Sequence, residues 1–305
     1  MLISVCIPVY NGANTISSLV DTCFQTLEDY NIEIVLVNDC SKDNSDEVCT
    51  KIAQKYSTVK YICLRRNYSE HNAVMCALNH CEGDVAVIID DDFQNPPSEI
   101  IKLVDKINLG FDVVYSKYHK KKHHFLRNWG SKLNDITSNW LLNKPKDLYL
   151  SSFKAISRDI INEIVKYKGP FPYIDGLILR VTNNITSVYV DHKSRAEGES
   201  NYTIGKLINL WLNMFINFSI KPMRFITFLG IFIAGISGVI GVVFIIEKVL
   251  HPEVVRGWTS LVLLVLFFGG IQNIFLGIIG EYIGKNYLDL NGTPQWVIKN
   301  KINVK

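Results

Sequence analysis

The chain has 305 residues, 48% of them hydrophobic and 20% charged, with a net charge of +3. That length exceeds one ordinary soluble core and implies more than one module. So small a charge, without basic patches interleaved with aromatics, excludes a nucleic-acid binder. Acidic and basic residues fill the first two thirds, while the last third holds two long charge-free stretches; the division reads as a soluble domain followed by membrane segments. The seven cysteines (6, 23, 40, 49, 63, 76 and 81) form no C-x-x-C pair. An odd count without that spacing gives neither a disulfide framework nor a zinc site and suits a reducing cytosol.

In chain order, Ile3 to Ile7 is a β-rich run that Pro8 should stop. It reads as a strand, because a secretory leader would carry a basic start and a cleavage site. Ile16, Leu19, Val20, Cys23, Phe24 and Leu27 follow at helical spacing. Ile32 to Val37 is a second buried strand, ending in the polar loop Asn38 to Asn44. Val59 to Leu64 is a third, closed by Arg65, Arg66 and Asn67, and Glu70 to Cys81 reads as a helix. Val85 to Ile89 is an unbroken apolar run, as a strand buried on both faces requires. It stops at Asp90, Asp91 and Asp92, then Gln94, and Pro96-Pro97 opens a helix through Ile100, Ile101, Val104 and Ile107. Phe111 to Tyr115 is a further strand. Strands alternating with helices at this spacing predict an α/β domain with a mostly parallel, Rossmann-like sheet.

Tyr10-Asn11, Asn38-Asp39, Arg65 to Asn67 and Asp90 to Asp92 all follow the carboxyl ends of their strands. Open α/β sheets bind ligands at that rim. Taken alone, the aspartates could be a solvated acidic loop, but four polar strand ends on one rim point to a nucleotide-diphosphate site. Asp90 and Asp92, two apart, face one side of an extended segment. A hard divalent ion takes one or two carboxylates plus substrate phosphates. No G-x-G-x-x-G or Walker-type glycine loop occurs, which argues against dehydrogenases and P-loop enzymes and leaves phosphate neutralisation to a metal.

The set Pro8 to Asn11, Val37 to Asp43, Arg66-Asn67 and Asp90 to Pro97 resembles glycosyltransferase family 2, in particular its polyprenyl-phosphate glycosyltransferases. The resemblance implies a GT-A fold and inverting transfer of a sugar from a nucleotide-diphosphate sugar, a UDP-sugar by preference, to a polyprenyl phosphate. It places Pro8, Tyr10, Asn11, Asp39, Asn67 and Asp91 on the nucleotide sugar, and Asp90, Asp92 and Gln94 on Mg²⁺ or Mn²⁺. Asp90, Asp92 and Arg195 become the catalytic set, and Arg195, Ser200 and Tyr202 face the acceptor phosphate; Arg127, at the end of the basic run and before a helix, is read from its place in the sequence as a further ligand of that phosphate. The chain departs from the family pattern at Gly12, where relatives often have Glu, and at Cys40, where they commonly have Gly. A third departure is Ser151-Ser152, where an acidic residue usually precedes the Phe, and a fourth is Asn201, often Lys in relatives.

The basic run from Lys117 to Arg127 is either a solvated loop or a mobile one that meets lipid phosphate and the anionic membrane surface. His192 reads as structural. Ile204, Leu207, Ile208, Trp211, Leu212, Phe215 and Ile216 mark one apolar face, as on an amphipathic helix lying in the interface. Phe225 to Ile246 and Gly257 to Gly280 are long enough to cross a bilayer as a hairpin. Lys206, Lys221 and Arg224 before it, and Lys285, Lys299, Lys301 and Lys305 after it, put the catalytic domain and both termini on the cytoplasmic side. The expected organisation is a catalytic domain over 1–203, an interface helix over 204–222, a two-helix hairpin over 223–284 and a cytoplasmic tail over 285–305. A homo-oligomer is compatible with this plan.

A lipid phosphate is already an anion at neutral pH, so the expected chemistry rests on positioning and charge neutralisation rather than on a strong base. Two rivals stay open: a family 2 enzyme with a hydroxyl acceptor, which would need a base, and a non-catalytic membrane scaffold.

Overall fold

Eight strands form one mixed sheet in the computed structural model, which describes residues 1–118, 148–192 and 257–304, with scattered helical positions between 226 and 250. They are β1 (Leu2–Val9), β2 (Asn31–Asn38), β3 (Val59–Leu64), β4 (Val85–Ile88), β5 (Val113–Tyr118), β6 (Lys154–Ser157), β7 (Ile185–Val190) and β8 (Ile298–Ile302), in the spatial order β7-β5-β6-β4-β1-β2-β3-β8. The first four pair in parallel, as the alternating pattern requires. β6 and β8 run against their neighbours, so the sheet is less uniformly parallel than expected.

Helices α1 (Ile16–Thr26), α2 (Ser45–Lys55) and α4 (Ile100–Asn108) bury their apolar stripes with Ile3, Val5, Ile7 and Val9 of β1. The main core lies on this face, and each fully buried Ile, Val or Leu contributes about 1.5–3 kcal/mol. α3 (Glu70–His80) packs against β1 and β2, and α5 (Arg158–Ile164) packs with α6 (Ile174–Val181).

Pro8 does not end the first strand. It lies within β1, opposite Val37. The pairing of β1 with β4 stops at Cys6, whose carbonyl accepts the Ile89 N–H at 3.1 Å. Two residues on, the missing N–H of Pro8 faces the same side, where the ladder has already ended and no bond is lost.

The chain divides into two units, Met1–Thr203 with Gly292–Lys305, and Ile204–Asn291. The terminal stretch expected to trail as a tail is therefore part of the first unit. β8 pairs antiparallel with β3, Asn303 donates to the carbonyls of Ala53 (2.6 Å) and Val59 (2.8 Å), and Gln295 donates to that of Gly169 (2.8 Å).

In the second unit, α7 (Trp258–Leu290) contains the second charge-free run from its second residue onward, with Gly257 as the N-cap. Phe267, Ile274, Leu276 and Ile283 expose 56–63% of their surface. Positions 258–260, 262, 263 and 266 have no described side chains. Among the described residues no helix is long and apolar enough to cross a membrane. The interface helix expected over 204–222 lies outside the described residues, as does most of the first expected span.

Candidate active site

The four parallel strands end at one rim, and each is followed by a residue with a left-handed backbone: Asn11 (φ 56°), Cys40 (φ 56°), Ser69 (φ 78°) and Phe93 (φ 59°). Such a conformation costs a non-glycine residue about 1–3 kcal/mol and persists only where neighbours over-determine it. Cys40, where the resemblance leads one to expect glycine, holds a left-handed backbone that glycine adopts at less cost.

The loops after β1 and β2 are tied together. The Asn11 N–H donates to Ser41 Oγ (2.9 Å), and Asn11 Oδ1 accepts the Lys42 N–H (2.8 Å). Ser45 Oγ accepts the Gly12 N–H at 3.0 Å and donates to Asp43 at 2.6 Å. Asp39 is buried; its carboxylate accepts the Tyr68 N–H at 2.7 Å, while Asn67 donates to its carbonyl at 3.3 Å. Burial raises the Asp39 carboxyl above its usual range, against the opposing pull of the Tyr68 and Ser69 amides. Asp39, Asn67 and Asn11 thus share one rim. Tyr10 is 43% exposed there, and Pro8 lies inside the strand below.

Strand parity separates the three aspartates. Asp91 continues the row of Val87 and Ile89 onto the face covered by α1 and α2, where it accepts the Tyr10 N–H at 3.2 Å. Burial pushes its carboxyl up to about 7, with Asp90 and Asp92 adding to the effect and the Tyr10 amide opposing it. Asp91, expected on the nucleotide sugar, here holds the β1 and β4 loops together. A Cβ at position 12 would stand 2.4 Å from Asp91 Oδ2 and 3.1 Å from its Cγ, so Gly12 makes room for this carboxylate. Gly12→Ala is expected to destabilise the first unit by about 1–3 kcal/mol through overpacking, read as a lowered thermal midpoint; an unchanged midpoint would refute that account.

Asp90 points to the other face. In the antiparallel pairing of β4 with β6, Ile88 faces Lys154, so two residues on Asp90 faces Ser152. Ser152 Oγ donates to Asp90 Oδ2 at 2.6 Å. Asp92 Oδ1 accepts the Gln94 N–H at 3.1 Å, closing the turn.

Below Asp90 on this face lies a charged cluster that sequence reasoning missed. Buried Lys154 pairs with buried Asp175, which also accepts the Tyr115 hydroxyl at 2.8 Å. Glu70 opens α3, and desolvation by the surrounding protein, and then Asp90, lift its carboxyl to about 7. His71 meets the Tyr173 ring edge-on at 5.2 Å, and burial lowers its imidazole to about 4, so it is neutral at physiological pH. The only sequence signal was indirect, in the serine pair standing where an acid was expected.

Among the described residues no group of three or more His, Cys, Asp or Glu side chains is arranged to hold a metal alone. Asp90 and Asp92 are instead two hard-oxygen donors on an open rim, and fit an ion whose other ligands come from a diphosphate. The segments carrying Arg127, and Arg195 with Ser200 and Tyr202, lie outside the described residues. The last described residues before them, Tyr118 and His192, stand at the carboxyl ends of β5 and β7, which run parallel to each other and in the direction of β4.

Residues 4–165 match the profile of glycosyl transferase family 2. Over its full length the chain is similar to a bactoprenol glucosyl transferase of Shigella phage SfV, with 31% identity across 99% of both chains. It is also similar to an undecaprenyl-phosphate 4-deoxy-4-formamido-L-arabinose transferase of Pseudomonas fluorescens, 32% identical over 97% of this chain and 89% of the relative. Among solved structures, a glucosyl-3-phosphoglycerate synthase from Mycobacterium tuberculosis in complex with Mn²⁺ and UDP-glucose shares the fold. Its TM-score is 0.54 at 18% identity, covering 69% of this chain and 75% of that one.

Proposed function

The chain belongs to glycosyl transferase family 2, and from that membership we propose that it transfers a sugar from a nucleotide-diphosphate sugar, a UDP-sugar by preference, to a polyprenyl phosphate at the cytoplasmic membrane face. The observation that carries this reading is the extent of the likeness. Two relatives named for bactoprenol and undecaprenyl phosphate match along nearly the whole chain, through the apolar segment as well as the catalytic unit.

The anomeric C–O bond to the diphosphate breaks as a lipid phosphate oxygen forms the new one with inversion, and the nucleoside diphosphate leaves. The rim loops bearing Tyr10, Asn11, Asp39 and Asn67 hold the nucleotide. Asp90, Asp92 and Gln94 would hold Mg²⁺ or Mn²⁺, which would supply positive charge to the leaving diphosphate. Arg127, Arg195, Ser200 and Tyr202 align the acceptor phosphate; an arginine suits that task because its guanidinium makes paired, charge-assisted hydrogen bonds. No proton has to be removed from an acceptor that is already an anion.

Topology supports the two-span anchor. Met1–Thr203 and Gly292–Lys305 build one unit, so the intervening chain must return to the side it left, which requires an even number of crossings. The exposed apolar side chains of α7 supply a lipid-facing surface.

A second reading, a hydroxyl acceptor, would need a base, and Glu70, whose carboxyl is raised to about 7 by burial and then by Asp90, is the candidate for it. One experiment separates the two. The full-length protein in bilayers is incubated with a panel of labelled nucleotide sugars, then with polyprenyl phosphate or with glycerolipids. Label in an acid-labile polyprenyl product, retained in Glu70→Gln, supports phosphate transfer. Label only in a glycolipid, lost in Glu70→Gln, overturns it.

A further inference from the structure

The geometry points to Ser151 and Ser152 as positioning residues that clamp the Asp90 to Asn95 loop at its two ends, from opposite faces of the sheet. Ser151 and Ser152 stand just ahead of β6, and their side chains turn opposite ways. Ser152 reaches the start of the loop through its 2.6 Å bond to Asp90. Ser151 turns to the other side, where it meets the hydroxyl of Tyr118, the last residue of β5, at 2.9 Å. The Tyr118 hydroxyl in turn donates to Asn95 Oδ1 at 2.9 Å, at the far end of the loop.

The hydroxyl protons settle into a single order. Tyr118 uses its one proton on Asn95, so Ser151 must donate to Tyr118. Ser116 then donates to Ser151 at 2.7 Å. Each of the three hydroxyls gives one proton and the last acceptor is an amide oxygen. Ser116, Ser151 and Asn95 are all buried, and a fully satisfied buried chain of this kind rigidifies what it joins. What it joins is strained, since Phe93 sits mid-loop at φ 59° and a non-glycine residue holds that conformation only under constraint. His192, the last described residue before the Arg195 segment, packs on the Tyr118 ring at 4.4 Å.

The clamp itself is geometric; its bearing on metal and diphosphate rests on the function proposed above. The test uses full-length Ser152→Ala, Ser152→Thr and Tyr118→Phe proteins with two measurements. Hydrogen exchange of the peptide spanning 89–97, without metal, should accelerate tenfold or more in Ser152→Ala and in Tyr118→Phe, while Ser152→Thr restores protection and the other sheet peptides keep theirs. The Mn²⁺ concentration for half-maximal transfer should rise about tenfold in the same two variants, with donor KM at saturating Mn²⁺ little changed. Unchanged exchange in both variants overturns the clamp. Faster exchange throughout the sheet also overturns it, as the mark of general loosening. Accelerated local exchange with an unmoved Mn²⁺ requirement upholds the clamp and overturns the metal-site reading instead.

Discussion

Asp92→Ala is expected to lower sugar transfer by about 10³-fold, on the scale seen when one preorganised electrostatic group is removed from a transition state. Alanine removes two things at once, the charge and the acceptor for the Gln94 N–H. Asp92→Asn keeps an oxygen at that acceptor position and removes only the charge. Because the departing diphosphate gains negative charge as the sugar leaves, the asparagine variant should fall nearly as far as the alanine. Both should unfold at the parent midpoint within a few degrees. Transfer assayed across a Mn²⁺ series checks the point: asparagine activity within tenfold of the parent would remove Asp92 from the charge-bearing set.

Deleting residues 292–305 should abolish a stably folded catalytic unit. Every residue of β3 is buried, and β8 is the strand that covers its outer edge. Without it an apolar strand presents unpaired backbone groups, a template for aggregation. The deletion also removes the Arg65 to Val297 backbone bond at 2.9 Å, the three-way capping by Asn303 and the Gln295 link to Gly169. At about 0.5–1.5 kcal/mol net per hydrogen bond, together with the lost burial, the cost is on the order of 5 kcal/mol. That is comparable with the whole stability of many domains. The exposed Lys299–Asp46 pair, at 3.2 Å, adds little to this. Thermal unfolding and size-exclusion of the truncated protein check it; a monodisperse species with the parent midpoint would show β8 to be dispensable.

What could be read from the residues were the parallel strands and their rim. Val85 to Ile89 announces itself because a strand buried on both faces is apolar throughout, and Ile32 to Val37 does so with one exception, Glu33, which is buried against Lys60; the polar turn after each marks the carboxyl end. β6 and β8 escaped notice for the opposite reason. Lys154–Ser157 has only four residues and begins with a lysine, and Ile298–Ile302 has apolar residues only at its two ends. Each is a strand by virtue of its neighbour rather than of its own composition. Pro8 was misjudged because its effect depends on where the adjacent ladder stops. The serine pair was invisible as a clamp for the same reason: its partners Asp90, Tyr118 and Asn95 become neighbours only through the registers of β4, β6 and β5.

The placement of β8 also sets an order of events during synthesis. The ribosome must translate all of residues 204–291 before the strand that seals β3 exists, a delay on the order of ten seconds at usual elongation rates. Through that interval the nascent sheet is open along the β3 side. The sheet of the first unit is thereby made to wait on synthesis of the whole second unit, so a chain stalled before residue 292 lacks the strand that closes it.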